Sequence, residues 1–90
     1  MNDQRHEERL TDLRRQVDET DDAIVALLSK RFELSAQIAE VKTAVALPIH
    51  CPDRERSILD RLPSEKHRRI FAVILEVSRA IQAERRDVSP

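Results

Sequence analysis

Ninety residues allow one domain at most, near the size at which a single core is only modestly stabilising. Charged residues make up 37% of the chain and aromatics 2%, with no Gly, Trp or Tyr, a mixture that suits long helices and argues against a sheet. The 16 basic and 17 acidic residues nearly cancel, so the net charge of -1 exerts no overall pull toward nucleic acid or a membrane surface.

The N-terminal stretch MNDQRHEER is too polar for a signal peptide, and no apolar run approaches membrane-spanning length. A soluble cytoplasmic protein is the expectation, with residues 1–6 and 87–90 as frayed tails of a single domain covering 1–90. From about Glu8 to Val45 there is neither Pro nor Gly, and Leu10, Leu13, Val17, Ile24, Leu27, Leu28, Leu34, Ile38, Val41 and Val45 keep a helical apolar period. That predicts one helix of about 38 residues, roughly 57 Å long. A compact 90-residue globule has a radius of gyration of only about 12 Å. The rest of the chain cannot cover such a rod, and a second copy of the chain is the simplest cover.

The stretch ALPIHCP (46–52) is the first connection. Pro52 opens a short second helix, DRERSILDRL, with Ile58, Leu59 and Leu62 as its apolar face. Pro63 disfavours the α conformation at Leu62 and so ends it. A third helix is predicted from about Ser64 to Arg86, with Ile70, Phe71, Val73, Ile74, Leu75, Val77 and Ile81 on its buried side. Ser78 and Gln82 intrude on that stripe at a spacing of four.

The long helix shows the same oddity. Arg31 and Lys42 lie about 20° apart on a helical wheel, beside Leu27, Leu34, Ile38 and Val41. Arg14 falls about 100° from Arg31, so it suits the pocket of a partner copy better than that of its own chain. Taken singly, each cation reads as a side chain snorkelling into water. Taken together with Arg54, Glu55, Ser78 and Gln82, they form a set whose burial is costly without a polar ligand. A small dianion is such a ligand, with Arg as the favoured carboxylate donor.

The sequence has no Gly-rich phosphate loop and no metal-ligand spacing. Its one cysteine, Cys51, excludes an internal disulfide and has no evident activating base. His6, His50 and His67 read as solvent-exposed. If the chain is an enzyme, its reaction is therefore expected to use electrostatic stabilisation and positioning rather than proton or acyl transfer.

Three segments carry a family resemblance: LRRQVDETDDAIVALLSKRFELSAQIAEVK (13–42), PIHCPDRE (48–55) and VILEVSRAIQ (73–82). Over roughly residues 10–86 the chain resembles the all-helical class of chorismate mutases. The resemblance implies an all-α fold of three helices per chain, one very long, one short and one medium, forming an intertwined homodimer with shared active sites. It also implies conversion of chorismate to prephenate by a Claisen rearrangement with no cofactor or metal, within aromatic amino acid or related shikimate-derived biosynthesis. By this resemblance, Arg14 reaches a substrate carboxylate in the partner's site and Arg31 binds the other carboxylate. Lys42 contacts a carboxylate and the ether oxygen, Arg54 supports carboxylate binding, Glu55 accepts from the ring hydroxyl, Ser78 helps hold a carboxylate and Gln82 donates to the ether oxygen. Cys51 stands where many members have an Asp, which leaves room for isochorismate pyruvate elimination or aminodeoxychorismate as alternatives. A regulatory protein partner is compatible with the resemblance. A non-catalytic dimeric helical module is the rival reading, and it leaves Ser78 and Gln82 unexplained.

Overall fold

The computed structural model describes residues 2–88, which form α1 (Asn2–Ala44), α2 (Pro52–Asp60) and α3 (Glu65–Val88), with no strand among the described residues. The fold is all-α, with the long, short and medium helices in the expected order. The helices run farther than expected at the ends, α1 from Asn2 and α3 to Val88. Asp3 in the first turn of α1, and Arg85 and Arg86 in the last turn of α3, complement the helix dipoles there. Met1, Ser89 and Pro90 lie outside the described residues.

The chain divides into two compact units, Met1–Arg31 and Phe32–Pro90. The first is helix α1 up to Arg31. Its solvent side is laced by Arg15, which donates to Asp12 (2.5 Å) and Glu19 (2.8 Å), and by Gln16, which donates to Asp12 (2.9 Å). The hydrogen bond from Arg15, followed by that from Gln16, holds the Asp12 carboxyl below its usual value. No residue of 3–31 is buried, and Leu10, Leu13, Val17, Ile24 and Leu27 are all exposed.

The apolar residues of α1 fall in heptads. Leu10, Val17, Ile24, Arg31 and Ile38 recur every seven residues, and Leu13, Thr20, Leu27, Leu34 and Val41 follow each by three. Only Arg31 is charged among these ten. Fully burying a Leu, Ile or Val contributes about 1.5–3 kcal/mol, so these side chains represent a large unclaimed stabilisation.

In the second unit, the buried residues are Ser35, Ala39, Leu75, Ser78 and Gln82. The apolar stripe expected to be buried on α3 behaves differently. Ile70 is 64% and Val73 57% exposed, whereas Ser78 and Gln82 are buried. The reason is that the end of α1 meets α3 through polar and small residues. Lys42 bonds Gln82, Arg85 bonds Glu40, and Arg86 bonds both Thr43 Oγ1 (3.1 Å) and the Leu47 carbonyl (2.7 Å).

Helix α1 ends in a Schellman turn. The Leu47 N–H donates to the Lys42 carbonyl (2.7 Å) and the Ala46 N–H to that of Thr43 (3.3 Å). Ala46 takes the left-handed position at φ 56°, where Gly is usual. Pro48 follows, and Pro52 sits in the first turn of α2. At the start of α3, Ser64 caps the helix by accepting from the His67 N–H (3.3 Å).

Candidate functional site

The site is built from the last turn of α1, the first turn of α2 and the middle of α3. Ser35, Ala39 and Lys42 follow at spacings of four and three, which places them on one side of α1. Leu75, Ser78 and Gln82 do the same on α3. The long lysine chain spans the gap between these two sides. Its Nζ donates to Gln82 Oε1 (3.0 Å) and to the Ile49 carbonyl (2.8 Å) in the connection to α2.

This arrangement settles the orientation of the Gln82 amide, because an ammonium can only donate. Oε1 faces Lys42, and Nε2 has no protein acceptor among the described residues. Gln82 is buried, yet no fully buried side-chain N or O among the described residues lacks a partner, so Nε2 reaches an accessible edge. Lys42 has three N–H groups and spends two on Gln82 and Ile49. One ammonium N–H and the amide NH₂ are therefore left without a partner among the described residues.

Ser78 is buried one turn before Gln82, with its hydroxyl donating to the Ile74 carbonyl (2.9 Å). Glu55, half-buried on α2, is not the isolated acid its sequence context suggests. Its Oε1 accepts from the Arg79 guanidinium at 2.5 Å, and its Oε2 lies 3.9 Å from His50 Nε2. Arg54, beside it, is exposed and makes no hydrogen bond or ion pair with a described residue. Arg14 is exposed and Arg31 half-buried on α1, both within the unit Met1–Arg31. Thus Lys42 with Gln82, and Glu55 with the Ser78–Arg79 turn of α3, are brought together within the unit Phe32–Pro90.

Sequence reading missed Arg79, the Ile49 carbonyl and the nearness of His50. Arg79 follows Ser78 directly and precedes Gln82 by three, a spacing that put it in reach. In a chain that is 37% charged, however, one more Arg at the border of an apolar face reads as solvated. No cluster of three or more metal-ligating side chains exists among the described residues. None of their helices is long and apolar enough to cross a membrane. A hollow of about 480 Å³ lined by Thr43, Ala46, Leu47, Pro48 and Arg86 includes none of the expected site residues.

Known proteins give this arrangement a family. Residues 13–83 match the family model of chorismate mutase type II. A chorismate mutase from Methanocaldococcus jannaschii is 31% identical over 86 residues, which cover 86% of this chain and 87% of that protein. A bifunctional chorismate mutase/prephenate dehydratase from Aquifex aeolicus is 42% identical over 55 residues, covering 61% of this chain but only 15% of the larger protein. Among solved structures, a conserved hypothetical protein from Pyrococcus furiosus superposes with a TM-score of 0.76 at 40% identity, covering 81% of this chain and 93% of that one. The matched span holds both the Lys42–Gln82 bond and the Glu55–Arg79 pair, and the chain belongs to the chorismate mutase type II family.

Proposed function

We propose that the chain is a chorismate mutase that converts chorismate to prephenate in the cytoplasm, acting as a homodimer whose two sites each draw on both chains. The observation that carries this reading is the hydrogen bond from Lys42 to Gln82. In the Claisen rearrangement the enolpyruvyl ether C–O bond breaks as a C–C bond forms, with no group gained or lost. Negative charge builds on the ether oxygen in the transition state. The remaining Lys42 N–H and the Gln82 NH₂ are two adjacent donors suited to that charge, and their mutual bond orients them before the substrate arrives. Preorganised donors of this kind cost no reorganisation during the reaction.

The other roles follow from charge. Arg31, Arg54 and Ser78 of one chain, and Arg14 of its partner, serve the two carboxylates, for which guanidinium forks are well shaped. Glu55 accepts from the ring hydroxyl. The exposed heptad residues of α1 support the dimer, since a second α1 is the chemically matched cover for them. Residues 1–90 act as one catalytic domain in this scheme.

The direct test is to incubate the purified protein with chorismate, follow the loss of its ultraviolet absorbance and identify the product. Isochorismate is run in parallel. Formation of prephenate is expected. Release of pyruvate from isochorismate without turnover of chorismate would move the chain to the lyase alternative, and turnover of neither would favour the non-catalytic helical module.

A further inference from the structure

Glu55 sits on a helix that is poorly equipped to hold it. Helix α2 has nine residues and none of them is buried. A helix so short does not persist in water on its own. Its N-cap, Cys51, forms no side-chain capping bond. A carboxylate expected to meet one particular hydroxyl therefore needs support from elsewhere.

That support comes from α3. Arg79 NH1 donates to Glu55 Oε1 at 2.5 Å, and the two side chains are 36% and 21% exposed. The bond joins residues 24 apart in sequence and ties the first turn of α2 to the turn of α3 that carries Ser78. Arg79 also stands three residues before Gln82, so it shares that side of α3. Oε2 is left without a hydrogen bond from a described residue, His50 being at 3.9 Å.

We propose that Arg79 is the positioning residue of Glu55: its guanidinium takes Oε1, fixes the carboxylate on α2 and leaves Oε2 to accept from the substrate's ring hydroxyl. This inference rests on the mutase reading. It adds a determinant of hydroxyl recognition in a chain where Cys51 replaces the second acid expected there. Because a carboxylate has two acceptor atoms, one can be given to a permanent partner while the other serves the ligand.

The test is a double-mutant cycle read in kcat and KM. Arg79→Ala should lower kcat/KM roughly 10- to 100-fold, the scale of a misplaced binding group. Much of that loss should fall in KM, because the hydroxyl is bound in the ground state and the transition state alike. Arg79→Lys should recover part of the loss, since it restores a donor. In a Glu55→Gln background, Arg79→Ala should cost less than about 2-fold further, because its effect is already spent. Equal losses in both backgrounds would overturn the proposal, showing that Arg79 meets the substrate itself or merely stabilises the fold. Unchanged kinetics in Arg79→Ala would overturn it as well, with wild-type turnover leaving the mutase reading intact. A wild-type protein inert toward chorismate would overturn both.

Discussion

Lys42 and Gln82, 40 residues apart in sequence, meet through one hydrogen bond of 3.0 Å between the end of α1 and the middle of α3. Lys42 is held a second time by the Ile49 carbonyl, so the connection to α2 converges on the same ammonium. Three parts of the unit Phe32–Pro90 are thereby fixed by one side chain. A fold with few buried apolar residues has placed polar ones inside it, and their burial is tolerated because they bond one another and the backbone.

The turn just beyond Lys42 carries a backbone cost. Ala46 sits at φ 56° in a Schellman turn, a conformation costing about 1–2 kcal/mol for a residue with a Cβ. Gly removes that cost but gains entropy in the unfolded chain, about 0.4–1 kcal/mol. Ala46→Gly is expected to stabilise the protein by about 0.5–1 kcal/mol in a denaturant titration, with activity unchanged. An unchanged or lower midpoint would count against the turn.

Exposed Leu10, Leu13, Val17, Ile24 and Leu27 on α1 lead to a prediction about assembly. The protein should sediment at twice its 10.4 kDa chain mass. Ile24→Glu, which puts a charge at a heptad seam position, should shift it toward the single-chain mass and make activity concentration-dependent. A wild-type chain that is monomeric and still turns over chorismate would refute the shared-site scheme.

Arg14 and Arg31 allow a stricter version of that test. Each Arg→Ala variant alone should be nearly inactive. When the two are mixed and allowed to exchange, half of the dimers combine one chain of each kind, and each mixed dimer has one intact site. About a quarter of wild-type activity should return. No recovery, in a mixture shown to have exchanged, would mean that both arginines of a site come from the same chain.

Much of this was legible in the sequence. The Pro and Gly-free run to Val45 announced α1, and Pro52 and Pro63 bracketed α2 correctly. Ser78 and Gln82 stood out because they broke an apolar period, and burial of both gives that break its meaning. The stripe itself is only partly covered within the single chain. Ile70 and Val73 look like core by periodicity, yet they are exposed in the single chain, because periodicity reports that a face is apolar and not what covers it. Arg79 was invisible for a different reason. Its partner is on another helix, and only the folded chain brings Glu55 to it.

The helix ends lie farther out than the apolar period alone suggested. Asp3 near the N-terminus of α1, and Arg85 and Arg86 near the C-terminus of α3, complement the helix dipoles and favour helix at these ends.

The measurement that bears most directly on the central claim is kcat for Gln82→Ala on chorismate, taken with a thermal melt of the same variant. If Gln82 presents its NH₂ to the ether oxygen under the hold of Lys42, kcat should fall by about 100- to 1,000-fold, the usual loss for one preorganised oxyanion donor. The fold should persist, with the melt showing a cooperative transition. A variant that turns over chorismate at the wild-type rate would contradict the account, because the bond between Lys42 and Gln82 would then be packing and nothing more.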